Sequence, residues 1–145
     1  MKIRKAKITD LKQIKAINDE YAFETDRDWE GLIVDEDKEF FLLIDSNKII
    51  GFTGLIHFDW NNTLQISNIF VLPAYRKKGA GLQLVTYLIE KAKKTKYRCL
   101  IAEAPSKSLV VNLYKKVGFR KCGYNDRYYY NDAHIIAYWM SYDLK

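Results

Sequence analysis

Between positions 71 and 84 the chain changes how it must fold. The apolar, β-rich run ending in Ile69-Phe70-Val71 is stopped by Pro73, and beyond it Leu82, Val85, Leu88 and Ile89 recur at helical spacing. A strand that feeds directly into an amphipathic helix belongs to layered α/β architecture. Between the two lies Ala74-Tyr75-Arg76-Lys77-Lys78-Gly79-Ala80-Gly81. The glycines remove Cβ atoms where the backbone turns, so successive N–H groups point at one anion at a helix N-terminus, where dipole and orphan donors add. The dinucleotide fingerprint is incomplete because position 84 is Leu, and no Gly-Lys-Ser/Thr makes a P-loop. Taken alone, the glycine pair also fits an ordinary turn with a basic, solvated face.

Upstream of that passage the sequence reads as sheet with one or two helices. Residues 2–8 form a first strand, Thr9-Asp10 offers acceptors to cap a helix, and Leu11, Ile14, Ile17 and Tyr21 give that helix an apolar stripe. The acidic stretch 24–30 reads as a short second helix or a loop. Residues 40–44 and 49–56 make a hairpin about Asp45-Ser46-Asn47-Lys48, and Asn61-Asn62 turns the chain into a further strand over 64–71. Downstream, residues 99–102 form a short buried strand and 109–116 a helix ended by Gly118, and a closing strand pair follows from Phe119 and over 135–142. With no repeat or linker in 145 residues, a single domain over 1–145 is expected: a mixed, mostly antiparallel sheet with helices on both faces.

The formal net charge of +6 suits an anionic partner without identifying one. Basic residues gather at 76–78 and 91–98, but aromatic and basic residues are not interleaved there, so nucleic-acid binding ranks last. Cys99 and Cys122 are far apart and in no Cys-x-x-Cys spacing, and His57 and His134 have no partner at metal-ligand spacing, so reduced thiols, structural histidines and no metal are expected. Without a signal-like or membrane-length apolar run, the reading is a cytoplasmic protein, monomer or homodimer, with no membrane partner.

The string Val71-Leu72-Pro73-Ala74-Tyr75-Arg76-Lys77-Lys78-Gly79-Ala80-Gly81 resembles motif A of the GCN5-related N-acetyltransferase (GNAT) family, Arg/Gln-x-x-Gly-x-Gly/Ala after Val-x-Pro-x-Tyr. Ile3-Arg4-Lys5-Ala6 with Thr9-Asp10-Leu11 looks like the family's opening strand and helix, and Leu113-Tyr114-Lys115-Lys116-Val117-Gly118-Phe119 like its motif B. The resemblance implies acetyl-CoA as co-substrate, held by Phe70, Val71, Arg76, Lys77, Lys78, Gly79, Ala80, Gly81 and Leu82. It implies a backbone N–H of the strand ending at Val71 for the oxyanion, and Tyr114 as general acid, consistent with a phenol that stays protonated at neutral pH.

The base is less plain. Polyamine-type relatives carry an acid where this chain has Ser67 and Asn68, and the N-terminal acetyltransferases it resembles carry an acid or a histidine one position before Glu103, at Ala102. Alternation would send those neighbours to opposite faces unless a bulge intervenes, which leaves Glu103 as base or plain surface carboxylate. Lys107 stands where motif B usually has asparagine. Tyr128-Tyr129-Tyr130 resembles the closing hairpin of ribosomal-protein and peptide N-terminal acetyltransferases, which would make Tyr128 and Tyr129 substrate-binding; rings covering the sheet are the alternative. The acidic stretch of residues 20–37 falls where the family places acceptor-gating helices. The expectation is therefore acetyl transfer to a primary amine, either a protein N-terminal α-amine or a small amine such as a polyamine. The alternative is a catalytically idle CoA-binding regulatory module.

Overall fold

The computed structural model of the chain describes residues 1–21 and 26–145. Seven strands, β1 (Lys2–Lys5), β2 (Lys38–Asp45), β3 (Lys48–Phe58), β4 (Thr63–Val71), β5 (Cys99–Pro105), β6 (Arg120–Asn125) and β7 (Ala137–Asp143), form one sheet in the order β1-β2-β3-β4-β5-β7-β6. All neighbours are antiparallel except β4 and β5. That parallel pair needs a crossover, which α3 (Ala80–Lys93) provides; α1 (Leu11–Tyr21), α2 (Trp29–Val34) and α4 (Val110–Lys116) complete the layers. The mixed, mostly antiparallel sheet with helices on both faces is thus as the sequence predicts.

Strand alternation explains the layering. Phe40 and Phe41 are neighbours on β2 and both wholly buried, yet Phe40 meets Trp29 of α2 edge-on at 6.0 Å, whereas Phe41 meets Tyr87 of α3 at 5.3 Å. A strand covered on both faces reads as an unbroken apolar run, as residues 40–44 do. Val85, Leu88, Ile89 and Ala92 of α3 pack with Leu64 and Leu100 at the centre of the sheet.

Several ends differ from their sequence reading. Residues 8–10 form a 3-10 turn before α1, and Asp10 reaches back instead of capping forward, accepting from the Lys7 N–H at 2.7 Å and from both terminal nitrogens of Arg4 at 2.9 Å. Of the acidic stretch, residues 24 and 25 lie outside the described residues. From Trp29 the chain is helical, with the Asp28 carboxylate accepting from the Gly31 N–H at 3.0 Å. β5 runs on to Pro105 because β7 pairs with it that far, Pro105 opposite Ala137.

Around one end of β3, Glu39 accepts from His57 at 2.9 Å and from Lys91 at 3.4 Å, and the Tyr97 hydroxyl donates to Asp59. His57 is therefore a paired structural histidine, with its ring 5.3 Å from that of Tyr97. The bond to Asp59, with burial second, pushes the Tyr97 phenol up to about 12. A phenol raised in the folded state stabilises fully below its unfolded value of roughly 10 and loses that contribution as pH rises through the folded value. Tyr97→Phe should therefore lower the urea midpoint at pH 7 and 9, and the gap to the native chain should close between pH 10 and 12; a gap constant with pH would refute the assignment.

Candidate active site

The sheet opens in its middle. β4 and β5 pair only where residues 63–65 face residues 99–101, and past Gln65 the ladder stops. Just beyond, the β3–β4 register shifts between Thr53 and Leu55, so that Gly54 faces two residues, Ser67 and Asn68, and the Thr53 hydroxyl donates to the Asn68 carbonyl at 2.5 Å. Such a bulge bends its strand and raises the local twist, which carries β4 away from β5. Only glycine fits opposite it: a Cβ at position 54 would lie 2.5 Å from Ser67 Oγ and 2.8 Å from the Glu39 carbonyl oxygen. The opening is a cleft of about 370 Å³ between residues 66–69 of β4, Glu103 and Pro105 of β5, Tyr114 of α4, and Tyr129.

Tyr114 lies on the buried face of α4 with Val111, its ring 4.9 Å from that of Phe119. It is 3% exposed, and that small area borders the cleft. Burial pushes its phenol far above the ordinary tyrosine range, and the Glu103 charge adds to the shift. Glu103 itself is placed by alternation. The β5–β7 ladder is regular, Ala102 and Ala104 are wholly buried, and Glu103 between them faces the cleft. No bulge is involved.

The two tyrosines flagged together in the sequence separate. Tyr129 lines the cleft and donates its hydroxyl hydrogen to Glu103 Oε2, while Tyr128 turns its ring edge-on to Trp139 at 5.9 Å and is 46% exposed. Both come from the loop between β6 and β7 and not from a strand.

Alongside the cleft, β4 leads into the glycine turn. Phe70 and Val71 bury their side chains, so only their backbone faces outward. Arg76 folds back on that strand end: its Nε donates to the Val71 carbonyl at 2.8 Å and its guanidinium lies 5.5 Å from the Phe70 ring centre. Lys77 and Gly79 take positive φ, 60° and 87°, and α3 starts at Ala80. The first-turn N–H groups, at Ala80, Gly81 and Leu82, have no acceptor within the helix and point out of its N-terminus. Lys78 reaches the Ala74 carbonyl at 3.3 Å.

Sequence reasoning noticed Ser67 and Asn68 only for the acid they replace. Both line the cleft, and the Asn68 amide nitrogen is buried with no hydrogen-bond partner among the described residues. Pro105 and Ser108, also on the wall, carried no signal. His134 pairs with Asp132 in the β6–β7 loop, and no group of three or more potential ligands for a metal occurs among the described residues.

A parallel strand pair that splits, with a helix N-terminus beside the gap and an acid and a buried phenol within it, defines an acyl-transfer enzyme of the α/β class. The chain belongs to the acetyltransferase (GNAT) family of N-acetyltransferases, whose family profile matches residues 7–119. A search of curated proteins gave no match. Among solved structures, the ribosomal-protein-S18-alanine N-acetyltransferase from Escherichia coli is similar with a TM-score of 0.86 at 23% identity, over 99% of this chain and 94% of that one. An N-acetyltransferase from Staphylococcus aureus gives 0.82 at 24%, over 99% and 98%. A spermidine N-acetyltransferase chimera built from the Vibrio cholerae protein gives 0.84 at 18%, over 99% and 97%. At such identities these likenesses bear on the fold alone.

Because the cleft depends on Gly54, Gly54→Ala must move backbone or Ser67. We expect a loss of about 1–3 kcal/mol in urea unfolding, typical of an overpacked site; a neutral result would mean the bulge is not held as described.

Proposed function

We propose that the protein transfers the acetyl group of acetyl-CoA to a primary amine, and that a peptide N-terminal α-amine is the acceptor class its cleft fits best. The observation that carries this is the convergence of Glu103, Tyr114 and the unpaired edge of β4 on one cleft, beside the N-terminus of α3. The free N–H groups at residues 80–82 suit a pyrophosphate, with Lys77 and Lys78 adding positive charge. Arg76, turned onto Val71, would brace the loop instead of reaching the ligand. The open edge of β4 past Gln65 offers an extended pantetheine arm the backbone partners that β5 no longer takes, and a β4 N–H would meet the oxyanion.

In this reading Glu103 takes a proton from the incoming ammonium. The nitrogen lone pair forms the C–N bond, the C–S electrons leave with sulfur as a thiolate, and the second proton that the nitrogen sheds in becoming an amide passes by way of water to that thiolate, giving CoA as the free thiol. Tyr114, held protonated by burial, donates a hydrogen bond to that thiolate. A phenol so far above the thiol range of roughly 8.5 stabilises the leaving group without having to give up its proton.

The acceptor class follows from charge. Glu103 is the one carboxylate on the wall described for the cleft; Ser67, Asn68 and Ser108 are neutral, and the Tyr129 hydroxyl is spent on Glu103. A polyamine carries several positive charges and calls for several anions, whereas a peptide terminus brings one amine followed by amides that such neutral groups can bond. Its amine, with a pKa of roughly 7.7–8.0, also asks less of a base than a lysine near 10.4. An idle module would be favoured by Ala102 standing where N-terminal acetyltransferases carry a polar catalytic group; with Glu103 facing the cleft, that reason weakens.

Thiol release from acetyl-CoA with free-α-amine tetrapeptides and with spermidine tests the proposal. Peptide turnover should exceed spermidine turnover roughly tenfold or more. The reverse order would overturn the acceptor class, and no turnover despite CoA binding would favour the idle module. Tyr114→Phe should lower the rate about a hundredfold while CoA affinity measured by calorimetry stays unchanged.

A further inference from the structure

Resting on the reading of Glu103 as base, we infer that Tyr129 is a positioning residue for that carboxylate, and that the loop between β6 and β7 is built to hold it there. The Tyr129 hydroxyl donates to Oε2 of Glu103, occupying one oxygen and fixing the plane of the carboxylate. Oε1 is then left for the amine. A glutamate has three rotatable bonds, and a base must sit within hydrogen-bond reach of the proton it removes, so a tether from a second element narrows the search for the productive rotamer.

The loop that supplies the tether is itself pinned at three places. At its base, Ser106, three residues after Glu103 and immediately beyond β5, donates its backbone N–H to the Ile136 carbonyl at 2.8 Å and accepts the Ile136 N–H on its hydroxyl at 3.1 Å. At its crown, Asp132 accepts from the His134 backbone N–H at 3.2 Å and pairs with the His134 ring, against which Tyr130 packs at 4.4 Å. On its flank, the Tyr128 ring meets Trp139, the residue opposite Glu103 in the β5–β7 ladder. Base and tether are thus anchored to the same pair of strands. A residue that only lined a peptide groove would not need its hydroxyl aimed at the acid.

Two single variants and their combination test this with a free-α-amine tetrapeptide and saturating acetyl-CoA. Tyr129→Phe keeps the ring; its thermal midpoint and CoA affinity should match the native chain, which checks the fold. The single-turnover rate at saturating peptide should fall roughly tenfold or more, the loss expected of a hydrogen bond to a charged group, while the half-saturating peptide concentration changes by less than about twofold. With Glu103→Gln already in place, adding Tyr129→Phe should slow the reaction no further, because the two act as one unit. An unchanged rate with a raised half-saturating concentration would make Tyr129 an acceptor contact and overturn the inference, as would losses that multiply in the double variant. A Glu103→Gln chain with native rate would instead remove the base reading itself.

Discussion

Two strands that run parallel for three residue pairs and then part are the constraint on which this molecule depends. A complete β4–β5 ladder would satisfy the backbone but leave no room for chemistry. By ending it at Gln65, and bending β4 at the Ser67–Asn68 bulge, the fold opens a cleft in the middle of an otherwise continuous sheet. The walls stay rigid because each strand keeps its outer partner, β3 for β4 and β7 for β5. An opening with two stiff sides can hold groups to fractions of an ångström, which loops alone do poorly.

Burial then sorts the ionisable groups. Tyr114 is sunk among the α4 and β5 side chains, and its phenol is held neutral by loss of solvent and, secondarily, by the neighbouring charge of Glu103. Glu103, beside it, is only partly buried and accepts a hydroxyl hydrogen bond from Tyr129, so the carboxylate and the phenol share a small space.

Much of this was legible in the residues. The strand-to-helix passage with Gly79 and Gly81, the stripe of α3, and the hairpin about Ser46-Asn47 all follow from local pattern, because there local and tertiary demands agree. The end of β5 did not: Glu103-Ala104-Pro105 looks like a strand running out, and only pairing with β7, some thirty residues later, shows it continuing. The orientation of Glu103 turned on whether β5 carries a bulge, and the bulge exists instead in β4, signalled by nothing but a glycine one strand away. Tyr128 and Tyr129 were inseparable in sequence, since their surroundings diverge through loop contacts with Trp139 and Glu103 that are distant along the chain.

The two rims of the sheet bear on the gap at its centre. β1 is four residues long, and β6, at the opposite rim, slips register between Lys121 and Gly123, with the Lys121 ammonium 3.7 Å from the centre of the Tyr138 ring. A short rim and a kinked, charged one are poor templates for a visiting strand. Such rims discourage extended visitors, whether another chain or a misfolded segment, while the unpaired edge of β4 past Gln65 lies inside the sheet, open only to what can thread between β4 and β5.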